Sequence, residues 1–187
     1  FPDGLVAIGG SAFWNCSKLT GVVLPASVEK IGQRAFSGCS SLTDMRLPSG
    51  VTLGDAAFEH CTGLTTVTLP DDITEIPQDA FSECTSLKSI TLPDSIVKIG
   101  QSAFFDCSSL TAITIPEHIT NIGRGVFKKC TSLTSVSLPN GLEIIGDNAF
   151  YECDKLTSIT IPNGVSTIGK RAFYGTSLEN VKIPDSV

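Results

Sequence analysis

The chain has 187 residues, a formal net charge of −6 and 41% hydrophobic residues. An acidic chain without a basic stripe is poorly suited to bind nucleic-acid phosphates or an anionic membrane surface. The hydrophobic residues are spread at short intervals, and no apolar run approaches the roughly 20 residues of a membrane-spanning helix. We therefore expect neither nucleic-acid binding nor membrane insertion in this region.

Phenylalanine recurs at a fixed interval of 23 residues, with a single step of 22 between Phe36 and Phe58. The repeated positions are Phe13, Phe36, Phe58, Phe81, Phe104, Phe127, Phe150 and Phe173. A period of this length is typical of a solenoid, in which each coil buries its apolar side only against its neighbours. We predict a single domain over residues 1–187 with about eight coils, incomplete at both ends.

The sequence of each coil predicts two extended segments that are joined by turns. The segment Leu110–Ile115 is rich in β-branched residues and ends at Pro116, which is typical of a short strand. Equivalent strands one coil apart should pair in parallel and in register, giving one long sheet. A turn follows the proline, and the segment 96–99 is a short return leg. Gly100 then allows a bend into Ala-Phe-x-x-Cys, predicted as a 3₁₀ turn or a single helical turn.

Seven cysteines lie three residues after a repeat phenylalanine: Cys16, Cys39, Cys61, Cys84, Cys107, Cys130 and Cys153. No coil carries the second, closely spaced cysteine that a metal site requires. Side chains stacked in register point in parallel, which leaves Cβ atoms further apart than a relaxed disulfide prefers. We predict a ladder of buried free thiols that act as small hydrophobic groups, and no metal site.

The consensus of the coils is A-F-x-x-C-x-x-L-x-x-[VI]-x-[LI]-P-x-x-[VI]-x-x-I-G. This motif resembles the BspA-like class of leucine-rich repeat over the whole chain. The resemblance implies a right-handed superhelix, with a parallel sheet on the concave face and short strands or 3₁₀ turns on the convex side. It also implies an extracellular location on a bacterial cell surface, often in adhesion or host-protein binding. Pro77, which replaces the usual glycine, is expected to cause only a small kink.

The sequence offers no catalytic arrangement. His60 and His118 lie in different coils and at different places in the repeat. Neither is expected to meet a cysteine or serine together with the orienting acid that nucleophilic catalysis requires. No nucleotide-binding glycine pattern is present, and the resembled family carries no catalytic residues. We therefore predict a protein that is not an enzyme and has no catalytic residue or cofactor.

Outward-facing strand residues form the first candidate binding surface, on the predicted concave face. Most of them carry hydroxyl groups, and the surface is nearly uncharged in its middle. The candidate binding residues are Arg46, Thr68, Lys88, Thr91, Thr114, Ser137 and Thr160. The same threonines also suit any solvated strand, so an ordinary structural role remains open.

The position after each repeat phenylalanine gives a second candidate surface, on the predicted convex side. Four of its eight residues are aromatic: Trp14, Phe105, Tyr151 and Tyr174. Tyr and Trp side chains commonly anchor protein interfaces. The nearby basic residues Arg124, Lys128 and Lys129 are interpreted as a solvated rim.

The predicted function is a non-catalytic protein-binding or adhesion module of a bacterial cell-surface protein, with a host or cell-surface protein as partner. A carbohydrate-binding module and a purely structural spacer remain alternatives. Both ends of the repeat array expose apolar positions, among them Leu5, Phe13 and Ile183. We expect the ends to associate with one another or to be covered by flanking sequence.

Overall fold

The computed structural model describes residues 1–187 as a solenoid of parallel strands and turns. We number its coils 1 to 8 by their phenylalanines, from Phe13 to Phe173. None of its elements is a helix that could cross a membrane. The strands are β1 (Ala7–Ile8), β2 (Lys30–Ile31), β3 (Asp44–Arg46), β4 (Thr52–Leu53), β5 (Thr66–Thr68), β6 (Glu75–Ile76), β7 (Lys98–Ile99), β8 (Ala112–Thr114), β9 (Asn121–Ile122), β10 (Ser135–Ser137), β11 (Ile144–Ile145) and β12 (Thr167–Ile168).

The strands form two parallel ladders, as the repeat predicts. The first contains β3, β5, β8 and β10, which follow the repeat leucine, and the second contains the return legs. Pairing is in register from one coil to the next, with Met45 beside Val67 and Ile31 beside Leu53. Val67 and Met45 point into the core while their strand neighbours point out, so the period-2 pattern of the sequence is preserved.

The predicted continuous sheet is divided into two short sheets, and the ladder of return legs is divided into three. One break has a clear cause. In the ladder of return legs, the N–H of Gly54 donates to the carbonyl of Ile31 in the preceding coil at 2.8 Å. The N–H of Gly100 likewise donates to the carbonyl of Ile76 at 2.7 Å. Pro77 occupies the same place in coil 4 and has no N–H to donate, so β4 and β6 do not pair. Pro77 therefore interrupts the ladder, which is more than the small kink expected from the sequence.

The Ala-Phe-x-x-Cys segment forms consecutive turns rather than a 3₁₀ or α-helix. Alternate N–H groups make the expected 3₁₀-type bond to the third residue back, as Cys39 does to Phe36 at 3.1 Å. The N–H groups between them donate to the next coil, as Phe36 does to Ala57 at 2.9 Å. Each turn is therefore shared between two coils.

This alternation requires left-handed backbone at two positions in every coil. The residues two before and two after each repeat phenylalanine all have positive φ, between 51° and 65° where they are not glycine. Arg34 and His60 are examples, at 54° and 56°. Most side chains avoid this region, and each such residue costs about 1–2 kcal/mol. The stacked coils must therefore supply the stabilisation that holds the turns in this conformation.

The core is built on a stack of the repeat phenylalanines. Neighbouring rings lie 5.2–5.7 Å apart between centroids and are within 12° of parallel. The six inner phenylalanines are fully buried, whereas Phe13 and Phe173 at the ends are half-buried. A single cluster of buried residues runs from coil to coil around this stack. The solenoid therefore has one continuous core.

Six of the seven free cysteines form the predicted buried ladder. Each buried thiol donates to the carbonyl of the phenylalanine in the preceding coil, as Cys61 does to Phe36 at 3.2 Å. Burial, together with the charge of neighbouring thiolates, raises the pKa of Cys39 to about 11 and that of Cys61 to about 12. The pKa of Cys107 is raised well above its ordinary value for the same reasons. The prediction is wrong for Cys16 in coil 1, which is exposed.

Truncating a ring in the middle of the stack should strongly destabilise the solenoid. We expect Phe81→Ala to lower the free energy of unfolding by about 3–5 kcal/mol, because it removes buried apolar area and leaves a cavity between two rings. Urea denaturation followed by circular dichroism measures the change. Phe173→Ala, at the half-buried end of the same stack, is the matched control and should cost clearly less. Equal losses from the two variants would contradict the continuous-core description.

Thiol labelling should separate Cys16 from the other six cysteines. We expect a bulky disulfide reagent to modify one thiol per chain rapidly at pH 8 and the rest only as the protein unfolds, because buried thiols are both protonated and inaccessible. Mass spectrometry of the labelled peptides identifies the sites. Fast labelling of Cys84 or Cys107 in the native state would refute the buried ladder.

The same ladder should make the fold sensitive to alkali. The unfolded chain begins to lose thiol protons near the ordinary pKa of 9.0, whereas folded Cys61 keeps its proton until about 12. The unfolded state is therefore favoured progressively above pH 9, so the free energy of unfolding should fall between pH 9 and 12. Denaturation curves across this range measure the slope, which should be shallower in Cys107→Ala because that variant lacks one buried thiol. A flat profile in the native chain would contradict the prediction.

Candidate functional site

The outward side chains of the first ladder form one surface, which we call the strand face. It carries all seven residues predicted as the concave binding surface, and each of them is exposed. Strand pairing places Thr68 directly beside Arg46 and Ser137 beside Thr114. Six of the seven occupy equivalent places in their coils, two residues before the proline, and Lys88 lies nearer the start of its strand segment. The residues thus lie on one face, mostly in a single row.

The hydroxyl groups on the strand face are not equivalent. At four positions directly after a repeat leucine, a threonine hydroxyl donates to the preceding coil: Thr65 Oγ1 donates to Thr43 O at 2.9 Å, and Thr134 Oγ1 donates to Thr111 O at 3.0 Å. These threonines therefore stabilise the stack. The exposed hydroxyl of Thr91 makes no such bond. The same holds for the equivalent residues in the other coils, Thr68, Thr114, Ser137 and Thr160, so this row is free to contact a partner.

At the N-terminal end of the strand face lies a largely apolar depression of about 380 Å³. Its apolar lining is provided by Val22, Val23, Leu24, Ala26, Leu47 and Pro48, and Arg46 stands at its edge. Val23 is 87% exposed, the most exposed large hydrophobic residue of the chain. The sequence contained a signal for this feature, because Val23 is the one apolar residue in a row otherwise made of hydroxyl-bearing and basic side chains.

The side of the solenoid that carries the turns, which we call the turn face, holds the predicted aromatic residues. Tyr151 and Tyr174 stack with their ring centroids 5.0 Å apart, as their positions in neighbouring coils suggested. Lys128 lies between Phe105 and Tyr151, with its Nζ 5.6 Å and 5.1 Å from the two ring centroids. This row of stacked aromatic rings and one cation was not predicted as a unit, because Lys128 was interpreted as part of a solvated rim.

Trp14 does not join this row. It is 58% exposed, but it lies in coil 1, and the equivalent positions of coils 2 to 4 are Ser37, Glu59 and Ser82. Ser37 and Ser82 are buried between larger neighbours. The four predicted aromatic residues therefore divide into one isolated tryptophan and a cluster of three.

Beside the aromatic row runs a polar cavity of about 420 Å³, which we call the trench. One row of lining residues stands three positions before the repeat phenylalanines and consists of Gln78, Gln101 and Arg124. The opposite row stands one position after them and consists of Ser82, Phe105 and Lys128. Ser82 is short while Phe105 and Lys128 are large, so the surface drops between coils 4 and 5.

The charges of the trench are separated along the solenoid axis. Its acidic end contains Glu59, which lies 3.6 Å from the Arg34 guanidinium, and Glu83, which lies 2.9 Å from Nδ1 of His60. The basic end contains Arg124 and Lys128, and neither has a carboxylate within 4 Å.

The His60 side chain lies beside two carboxylates. His60 is exposed and contacts only acidic side chains, Glu59 and Glu83. A nucleophile within reach of a base is absent there, so the arrangement lacks what covalent catalysis needs. Nor does the structure bring together three His, Cys, Asp or Glu residues that could hold a metal ion.

A comparison with solved structures confirms the fold. The chain is 36% identical to a leucine-rich repeat protein from T. pallidum, over 81% of this chain and 72% of that one, with a TM-score of 0.78. It is 27% identical to a leucine-rich cell-surface protein from Faecalibacterium prausnitzii A2-165, over 100% of this chain and 72% of that one, with a TM-score of 0.51. The pneumococcal vaccine antigen PcpA shares the fold at 21% identity, over 100% of this chain and 62% of that one, with a TM-score of 0.51.

No curated protein matches the chain. The model of the BspA type leucine rich repeat region matches it in six copies, over residues 1–88 and 74–187. Repeats of this kind are generally protein-interaction modules and are typically non-catalytic. Because the matched copies cover the whole chain and its coils pack as those of the T. pallidum protein do, the chain belongs to the BspA type leucine-rich repeat family.

Proposed function

We propose that this solenoid is a non-catalytic adhesion module of a bacterial cell-surface protein and that it binds a protein partner through the strand face. The observation that carries the proposal is the apolar depression at Val23, which continues into the exposed hydroxyl row of Thr68, Thr91 and Thr114. A similar protein that is named as a cell-surface protein supports the location.

The depression supplies what a protein interface needs at its centre. Binding energy concentrates where an apolar side chain of the partner is fully desolvated in a pocket. An aliphatic side chain placed against Val23 would remove apolar surface from water, which stabilises a complex by about 25 cal/mol per Å². Arg46 at the edge has no carboxylate within 4 Å and is free to pair with an acidic residue of the partner.

The hydroxyl row extends this contact along the solenoid. Successive coils repeat at the spacing of the phenylalanine rings, between 5.2 and 5.7 Å, so a partner lying along the face meets a new hydroxyl at each step. Weak polar contacts around an apolar anchor are typical of protein interfaces, in which the polar rim excludes water from the centre.

Adhesion measurements with strand-face variants test the proposal. Beads coated with the chain are applied to cultured epithelial cells before and after trypsin treatment of the cells. We expect binding that trypsin abolishes and that falls roughly tenfold or more in Val23→Glu and in the triple variant Thr91→Lys, Thr114→Lys, Ser137→Lys, because an interface disfavours unpaired charges. Circular dichroism should show that both variants remain folded, since all four side chains are exposed.

The double variant Tyr151→Ala, Tyr174→Ala is the matched control on the turn face and should bind as the native chain does. Loss of binding in this variant alone would move the protein site to the turn face. Native binding by every variant would place the site outside the mutated surfaces and contradict the proposal, whereas no binding by the native chain would favour a structural spacer.

A further inference from the structure

The trench on the turn face contains basic side chains that form no ion pair within the protein. Arg124 is exposed and has no carboxylate within 4 Å, and the Lys128 ammonium contacts only the two aromatic rings beside it. At the other end of the trench, each carboxylate accepts a hydrogen bond or forms an ion pair within the protein. Gln78 Nε2, for example, donates to the carboxylate of Asp79 at 2.9 Å. The Arg124 end of the trench therefore carries positive charge that an anionic ligand can pair with, in a chain whose net charge is −6.

The remaining lining is polar and suited to a ligand rich in hydroxyl groups. Gln101, Ser102 and Asn148 supply amide and hydroxyl groups that both donate and accept hydrogen bonds. Phe105 is the one apolar side chain of the trench. A hydrophobic peptide side chain therefore has no pocket to enter, whereas a polyol has many partners.

Phe105 lines the trench, and the ammonium groups of Lys128 and Lys129 lie 5.6 Å and 5.8 Å from its ring centroid. Its neighbour in coil 6 is Lys128, whose ammonium stands over the ring, but its neighbour in coil 4 is the short, buried Ser82. Phe105 itself is only half-buried. A flat aromatic face above a small residue offers room for the apolar C–H face of a pyranose ring, which packs on an aromatic ring as other apolar groups do.

The backbone of the trench cannot bind a peptide by strand addition. Ser102 N–H donates to Arg124 O at 3.0 Å, and Phe105 N–H donates back to Ser102 O at 3.0 Å. Gly125 N–H is likewise engaged with Asp147 O at 2.9 Å. Recognition must therefore use side chains, which favours a saccharide over an extended peptide.

We propose that the trench binds an acidic saccharide, with the sugar carboxylate on Arg124 and Lys128, a pyranose ring against Phe105, and hydroxyls on Gln101 and Asn148. A volume of about 420 Å³ lies within the usual range for small-ligand sites. This binding activity is additional to protein binding by the strand face, and the two surfaces share no residue.

Isothermal titration calorimetry with two matched sugars tests the proposal on the whole 187-residue chain. The probes are α-1,4-digalacturonate and its neutral counterpart α-1,4-galactobiose, at low ionic strength, where charge pairs are least screened. We expect one digalacturonate per chain, bound roughly tenfold or more tightly than galactobiose, because a hydrogen bond to a charged group contributes on this scale.

Two variants locate the site. Arg124→Gln should weaken digalacturonate binding roughly tenfold or more. Lys170→Gln removes the same charge at the equivalent position two coils further on, outside the trench, and should change the affinity by less than about twofold, the size of a screened long-range effect. Phe105→Leu keeps an apolar side chain but removes the flat ring, so it should weaken both sugars.

Several results would overturn the proposal. They are equal affinity for the two sugars, equal effects of Arg124→Gln and Lys170→Gln, no effect of Phe105→Leu, or no binding of digalacturonate at millimolar concentration. Tetraglutamate binding as tightly as digalacturonate would identify an acidic peptide site instead. None of these results bears on adhesion through the strand face, which the Val23→Glu variant tests separately.

Discussion

The structure depends on the way in which each turn shares its hydrogen bonds between two coils. Alternate N–H groups bond within the coil, and those between them bond to the next coil, as Ala35 and Phe36 do. This pattern needs two left-handed residues per coil, which cost about 1–2 kcal/mol each when they are not glycine. A net hydrogen bond returns only about 0.5–1.5 kcal/mol. The turns are therefore stable only while buried Phe and Cys side chains hold neighbouring coils together, so one coil alone cannot fold.

The carbonyls of the first six repeat phenylalanines, Phe13 to Phe127, join these elements. Phe36 O accepts the N–H of Cys39 in its own coil at 3.1 Å and the thiol of Cys61 in the next coil at 3.2 Å. Both of its lone pairs are thereby used in a place that water does not reach. Cysteine suits this position because its side chain is small and apolar yet carries a weak donor. The ladder of thiols thus contributes to packing and to the satisfaction of buried carbonyls.

The fixed stacking also determines what the surfaces can do. Equivalent residues of successive coils stand side by side, so the chemistry of each face is set row by row. On the strand face, one row of threonines is occupied with bonds between coils, and another presents free hydroxyls beside Val23. On the turn face, a short Ser82 next to a large Phe105 opens the trench. Because the rows are separate, either surface can change without disturbing the core.

The sequence alone determined the repeat, the buried positions of the inner phenylalanines and cysteines and the direction of each strand residue, because a fixed period repeats one local environment. It also placed Tyr151 beside Tyr174. It did not predict that Cys16 is exposed. It did not show the left-handed positions, since many of them carry residues such as Arg34, Glu83 and Lys129, which have no preference for this conformation. It did not show the trench either, because Arg124 lies one coil after Gln101 and Phe105, and Phe105 occupies a different place in the repeat from the other two. Only the stacked structure brings their side chains around one cavity. The period of the sequence fixes which coils are neighbours, but it does not fix the backbone path of each turn.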